Sequence, residues 1–257
     1  MIVDGRMLAE AVLARTSARG AAPVVVGYVS EDPSTTTKSY LRIKERSAER
    51  AGCTFIERST HKPLNEGEMG IVQFPTTLSQ EEIDALLPIT KDPDVLSRAA
   101  REKFTTGDPE ALLPPVVGAV REILKAHHVE IKGKRAVVVG AGFLVGAPAA
   151  TWLAQQGAEV TVVTLETNQE DVVAALGAAD IIVSGAGSPH FITPDMIKDG
   201  VVLIDAGTSE SSGKVVGDAD PACAEKCTLF TPVPGGVGPI AVALLFENAT
   251  ILKERNL

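Results

Sequence analysis

Apolar and polar positions along this 257-residue chain follow two rhythms. One is the three-to-four spacing of a helix face. The other is the short, unbroken apolar run of a strand buried on both faces of a parallel sheet. Met7 to Arg19 predicts a first helix, stopped by Gly20-Ala21-Ala22-Pro23, and Val24 to Val29 predicts a strand. Glu31 to Lys38 is polar and reads as a loop. Lys38 to Ala51 predicts a helix with Leu41, Ala48 and Ala51 available for packing and Gly52 as its stop. Thr54 to Glu57 and Gly70 to Phe74 predict strands, joined by a polar loop from His61 to Glu68. Ser79 and Glu82 form an S-x-x-E capping box for a helix through Leu87, and Pro88 ends it. Lys91-Asp92-Pro93-Asp94 reads as a turn, followed by a mostly helical stretch to Phe104 and a loop from Thr105 to Pro109.

Pro114-Pro115 is the strongest boundary signal, and Val116 to His127 predicts a linking helix. Strand and helix then alternate. Arg135 to Val139, Glu159 to Val163, Ile181 to Ser184 and Val201 to Asp205 read as strands. Pro148 to Gln156, Gln169 to Leu176 and the short turn Pro194 to Lys198 read as helical. That alternation predicts an α/β protein whose second domain is a doubly wound parallel sheet. Between the first strand and helix of that domain lie Gly140-Ala141-Gly142 and Gly146. Strand, glycine turn and helix together are the context of a Rossmann-type dinucleotide site. The spacing is G-x-G-x-x-x-G, which departs from the standard fingerprint, and an ordinary strand–helix turn is the competing reading. Thr231 to Pro239 (TPVPGGVGP) reads as a shaped loop, and Ile240 to Arg255 as a closing helix.

Composition changes this picture mainly by exclusion. Hydrophobic residues make up 45% and charged residues 22%, as in an ordinary soluble domain. A net charge of −9 with no basic run argues against nucleic acid and anionic membrane as partners. Ala136 to Gln155 carries no charge, but its glycines and proline divide it into strand, turn and helix, so it reads as buried core. Asp4, Arg6 and Glu10 interrupt any signal peptide, and a cytoplasmic protein is expected. Cys53, Cys223 and Cys227 read as unbonded thiols of a reducing compartment, and no metal site is expected.

The motifs in their order resemble the bifunctional methylenetetrahydrofolate dehydrogenase/methenyltetrahydrofolate cyclohydrolase family, nearly end to end. The most specific piece is Thr231 to Pro239 followed by Leu245, Glu247 and Asn248. Supporting pieces are Tyr40-x-x-x-Lys44, Val72-Gln73-x-Pro75, Lys91-Asp92-x-Asp94, Val145-Gly146-x-Pro148, Ile204-Asp205-x-Gly207 and Gly213 to Asp218. The chain also departs from the family. Only a short loop joins the second and third strands, where the family has a longer segment with a helix. The loop before Tyr40 is slightly longer than usual. A Cys-Thr-Pro motif is replaced by Pro114-Pro115-Val116. The Gly-Arg-Ser turn of NADP-dependent members is Gly140-Ala141-Gly142, and the His-Ser after the next strand is Thr164-Leu165. These differences describe a shortened, divergent branch with an altered cofactor site.

The resemblance implies an N-terminal folate-binding domain (1–115, rejoined by a closing helix 240–257) facing a Rossmann domain (116–239) across a cleft, in a homodimer. It implies an enzyme of one-carbon metabolism. The enzyme would oxidise 5,10-methylenetetrahydrofolate with a nicotinamide cofactor and hydrolyse the methenyl product to 10-formyltetrahydrofolate. Lys44 is implied as the proton-transfer group, with Gln73 hydrogen-bonded to it. Tyr40 would stack on the folate, and Asp94 would accept the paired donors of the pterin edge. Pro234, Gly235 and Gly236 would line the folate slot. Gly140, Ala141, Gly142, Gly146, Glu166 and Thr208 would hold the cofactor. Glu166 stands twenty residues beyond Gly146, about where an acidic residue binds the ribose hydroxyls of NAD, so NAD is expected over NADP. Taken one at a time, these residues also fit blander roles. Tyr40 and Lys44 could form a solvated helix face, and Glu166 could point into solvent. At the level of function, the alternatives are a catalytically silent folate or dinucleotide sensor, a monofunctional enzyme of the same fold, and an unrelated small-acid dehydrogenase.

Overall fold

The computed structural model describes residues 1–59, 62–211 and 214–256. The chain divides into two compact units, each holding a parallel sheet.

One unit comprises Ala9–Pro115 and Ala241–Leu257. Its elements are α1 (Gly5–Ser17, whose first turn belongs to the other unit), β1 (Val24–Tyr28), α2 (Thr35–Arg50), β2 (Thr54–Arg58), β3 (Glu68–Val72), α3 (Gln80–Leu86) and α4 (Arg98–Thr105). The sheet order is β2-β1-β3, all parallel. The central strand β1 is buried along nearly its whole length, whereas edge strand β2 carries Thr54, Glu57 and Arg58. Val26, Tyr28, Val72, Ile83, Leu86, Leu87 and Leu96 pack into one core.

Several boundaries differ from the sequence reading for local reasons. Helix α2 begins at Thr35 rather than Lys38, because the Ser34 side chain caps it by accepting from the Thr37 N–H at 3.1 Å. The polar threonines that suggest a loop are thus its first turn. Gly52, at φ +73°, ends the helix as expected. Strand β3 runs two residues earlier than the apolar run indicates, which leaves Gln73 and Phe74 just past its carboxyl end. The Ser79–Glu82 capping box of α3 is present in both directions. After Pro88 a 3-10 turn (Ile89–Lys91) precedes the Asp92–Ser97 segment, so helix begins only at Arg98.

The other unit comprises Met1–Leu8 and Val116–Ile240. Its elements are α5 (Pro115–Ala126), β4 (Arg135–Val139), α6 (Gly146–Gln155), β5 (Glu159–Val163), α7 (Gln169–Ala178), β6 (Ile181–Ser184), β7 (Val202–Asp205), a hairpin of β8 (Ser209–Ser211) and β9 (Lys214–Val216), and β10 (Leu229–Phe230). Helix α8 (Val237–Arg255) starts here, inside the segment that sequence reads as loop, and continues into the first unit. Residues 1–8, assigned to the first domain on sequence, belong here instead. The Val3 N–H donates to the Phe230 carbonyl and the Phe230 N–H to that of Met1, so the N-terminus extends the sheet edge beside β10. A two-residue strand and a three-residue hairpin carry too little periodic signal to be read in advance.

The five parallel strands run β10-β7-β6-β4-β5. Strands β4, β6 and β7 are buried except at the first residue of β4, which is why they read as unbroken apolar runs. The chain leaves β4 in one direction to β5 and then returns to build β6, β7 and β10 on the other side. The order therefore reverses between β4 and β6, and in doubly wound sheets ligands bind outside the carboxyl ends at that switch point. Cys223 and Cys227 are free and buried in this unit's core, and burial pushes their thiols up to about 12 and about 11. Among the described residues no helix is long and apolar enough to cross a membrane.

Candidate active site

In the first unit, the structure brings Lys44 and Gln73 together at the carboxyl end of the three-stranded sheet. Lys44 lies on α2, one turn after the half-buried Tyr40. Gln73 follows β3 directly and is held there by its own N–H, which donates to the Tyr28 carbonyl at 2.9 Å. Its side-chain amide is oriented from both sides. Nε2 donates to the Phe74 carbonyl at 2.7 Å, which leaves Oε1 to accept from Lys44 Nζ at 2.6 Å. Burial lowers the pKa of Lys44, against the opposing charge of Asp94. Burial raises Asp94 to about 6, with Lys44 opposing and Asp92 reinforcing the shift.

The segment carrying Asp94 is built by a residue that sequence left without a role. Asp92 is buried and accepts from the N–H groups of Leu96 and Ser97 and from Ser97 Oγ, at 2.7–3.1 Å. Ser97 in turn caps α4. Between them Val95 takes a left-handed backbone, φ +56°, which is strained for a β-branched residue. A polar residue two places before Asp94 and a serine ahead of a helix were the available signals.

In the second unit, the glycine turn sits at the switch point after β4, and its three glycines have separate reasons. Gly140 has φ +91°, and a Cβ there would lie 2.9 Å from Ala186 Cα. At Gly146 a Cβ would lie 1.9 Å from the Gly140 carbonyl oxygen, so only glycine lets α6 start so close to the turn. Gly142 has a single neighbour, the Gly185 carbonyl oxygen at 3.8 Å, and its backbone is open to a ligand. Helix α6 begins after Val145 with no side-chain cap. The Ala147 N–H donates to the Gly142 carbonyl at 3.1 Å and Pro148 has none, so what the helix start offers an anionic pyrophosphate is chiefly its positive end. The residues present fit a dinucleotide. Beyond β5, Leu165 is 92% exposed and Glu166 is also exposed, in a turn fastened by bonds from Thr164 N to Thr167 Oγ1 and from Glu166 N to Thr164 Oγ1. Thr208 is exposed just past the end of β7.

The Pro/Gly loop is also specified mostly by itself. At Gly236 a Cβ would meet the Pro232 carbonyl oxygen at 2.7 Å, so glycine is needed there for the loop's own backbone. Gly235 has φ +108° with open space around its Cβ position, and Pro234 is exposed. Gly213 of the Gly213–Asp218 motif lies outside the described residues. Asp218 of that motif and Asp205 are fully buried carboxylates that sequence reasoning gave no part in the site.

A doubly wound sheet with a glycine turn at its switch point and an uncapped helix behind it defines a dinucleotide-binding α/β protein, here with a second α/β unit that presents a part-buried lysine–glutamine pair. Residues 114–257 match the family model described as tetrahydrofolate dehydrogenase/cyclohydrolase, NAD(P)-binding domain. The chain is 34% identical to the bifunctional protein FolD of Methanosarcina mazei over 100% of its own length and 97% of that protein's. It is 32% identical to FolD of Thermotoga petrophila, with 99% of each chain covered. Among solved structures, the N5,N10-methylenetetrahydrofolate dehydrogenase-cyclohydrolase of Trypanosoma brucei, complexed with NADP and an inhibitor, superposes with a TM-score of 0.91. That pair is 29% identical, with 100% of this chain and 98% of that one covered. The chain belongs to the tetrahydrofolate dehydrogenase/cyclohydrolase family.

Proposed function

We infer that this protein oxidises 5,10-methylenetetrahydrofolate to the methenyl form and hydrolyses that product to 10-formyltetrahydrofolate. The observation that carries the reading is the Lys44–Gln73 hydrogen bond, made by a lysine whose pKa burial has lowered, in a member of this family. The second unit would hold a nicotinamide dinucleotide, which would supply the hydride acceptor for the oxidation. The protein's part in that step is to bind and orient, through the turn at Gly140, Gly142 and Gly146, the start of α6, Glu166 and Thr208.

Hydrolysis asks more of the side chains. Water adds to the cationic methenyl carbon and loses a proton, and the bond from that carbon to N5 breaks, leaving the formyl group on N10. A lowered pKa makes the neutral form of Lys44 more accessible, and that form can take the proton from water and return it to the departing nitrogen. Gln73 Oε1 fixes one Lys44 N–H and so directs the lone pair, while a cationic substrate beside the amine lowers its pKa further. Tyr40 stacks on the folate, and Asp94 accepts from the pterin edge. The test is turnover of methylenetetrahydrofolate with each nicotinamide cofactor, followed at the methenyl and reduced-cofactor absorbance bands. No turnover with any combination would leave a binding protein only.

The same reading assigns NAD over NADP. A 2′-phosphate needs a cation or hydroxyl beside the second strand of the sheet. Here Ala141 and Leu165 offer neither, and Glu166 brings a like charge. A higher kcat/KM with NADP would reverse the assignment. We assign the protein to the cytoplasm, as a homodimer, and sedimentation equilibrium checks the latter.

A further inference from the structure

Asp218 ends a family motif to which the site so far gives no role, and its surroundings are unusual. The carboxylate is fully buried and accepts three hydrogen bonds of 2.7 Å each: Ser184 Oγ and the Ala186 N–H on Oδ2, and the Ser188 N–H on Oδ1. All three donors belong to the Ser184–Ser188 segment, which begins with the last residue of β6 at the switch point. That segment forms one side of the glycine turn. Ala186 Cα and the Gly185 carbonyl oxygen stand 2.9 and 3.0 Å from where a Gly140 Cβ would be, and Val145 Cγ1 stands 2.3 Å from where a Gly185 Cβ would be. The two loops are thus interlocked at two points, backbone against backbone at Gly140 and the Val145 side chain against backbone at Gly185.

A second buried carboxylate works the same way on the next loop. Asp205, the last residue of β7, accepts from the N–H groups of Gly207 and Ala219 at 2.9 and 2.8 Å. Gly207 can carry no Cβ, because one would lie 2.3 Å from Asp218 Cγ. The Asp218 side chain therefore fills the space between the loops that leave β6 and β7, and it makes its hydrogen bonds to the β6 loop.

We propose that Asp218 is the positioning residue of the dinucleotide crevice. It fixes the Ser184–Ser188 loop against the glycine turn, so that Gly142 and the start of α6 stay open to the pyrophosphate. The assignment rests on the dinucleotide-binding reading of this unit. Asparagine at this position cannot replace it. Whichever way the amide is turned, its –NH2 faces either the Ala186 N–H or the Ser188 N–H, and a buried donor is left unpaired.

The experiment compares wild type, Asp218→Asn and Ser184→Ala for KM with the dinucleotide, KM with the folate, kcat and direct binding of NAD by calorimetry. Asp218→Asn should raise the dinucleotide KM and Kd by about tenfold or more, as expected for a displaced loop with an unpaired donor, while folate KM moves less than about twofold. Ser184→Ala removes one donor and keeps the carboxylate, and should raise the dinucleotide KM by about threefold. It carries the test if the aspartate variant does not fold. A purely structural role would reduce the active fraction, and so kcat, with both KM values in place, and that result would overturn the assignment. Wild type that bound NAD equally with its variants would overturn it alone. Wild type that bound no dinucleotide would overturn the functional reading along with it.

Discussion

At the residue scale, the proposed function turns on the ionisation of two groups, Lys44 and Asp94, whose charges act on each other. In the proposed hydrolysis the lowered pKa of Lys44 lets it act on water, so Lys44→Met, similar in length and without a basic group, should slow methenyl hydrolysis by about 10²–10⁴-fold while folate binding stays measurable. Unchanged hydrolysis in a stopped-flow assay would remove Lys44 from the mechanism. Asp94 supplies a pH signature. Its folded pKa of about 6 lies above the ordinary 3.8. The folded state therefore holds the proton more tightly than the unfolded state. The contribution to stability is complete below the unfolded value and is lost as pH rises through about 6. Asparagine has no such dependence. The stability of wild type relative to Asp94→Asn should thus fall by about 1–3 kcal/mol between about pH 4 and pH 7. Urea titrations across that range check it, and a pH-independent difference would contradict the shift.

At the scale of elements, the short connections decide more than the helices and strands they join. Gly146→Ala would place a methyl group 1.9 Å from the Gly140 carbonyl oxygen, and backbone cannot swing aside as a side chain can. The cost should exceed the 1–3 kcal/mol typical of overpacking, and dinucleotide binding should fall with it. Thermal melts with and without NAD read both effects; a variant as stable as wild type would mean that the start of α6 is free to shift. Gly142→Ala makes a useful contrast. It meets only the Gly185 carbonyl oxygen at 3.8 Å, so it should fold normally and lose affinity only where the ligand needs the space.

At the scale of the whole molecule, the last helix is part of the first unit's core. Leu244, Leu245, Phe246 and Leu252 are buried. The Phe246 ring packs edge-on against Phe55 with centroids 6.3 Å apart. Asn248 Nδ2 donates to the carbonyls of Pro93 and Leu113, each at 2.9 Å, and Glu247 accepts both Nε and Nη2 of Arg15. Burying four such side chains contributes about 1.5–3 kcal/mol each, comparable to the whole stability of a domain of this size. A chain ending at Ile240 should therefore lose protection across β1–β3 in hydrogen exchange while β4, β6 and β7 keep theirs. Retained protection in β1–β3 would show that the unit does not depend on α8.

Long apolar runs and their punctuation determine most of this architecture by themselves. Strands Arg135–Val139, Glu159–Val163 and Ile181–Ser184, the capping box at Ser79 and the glycine stop at Gly52 are local features whose physics is complete within a few residues. The candidate site was legible only as residue types in a family order, because Lys44 and Gln73 are separated by 29 positions and meet only once β3 is paired to β1. What tertiary structure alone decided is whatever depends on two distant segments closing on each other. It decided the displacement of residues 1–8 to the edge beside β10, the shift of Asp94 by enclosure next to Asp92 and Lys44, and the anchoring of Ser184–Ser188 by an aspartate 30 to 34 positions away. Burial and hydrogen-bond partners are properties of an environment, and no single stretch of chain contains the environment that the fold builds around it.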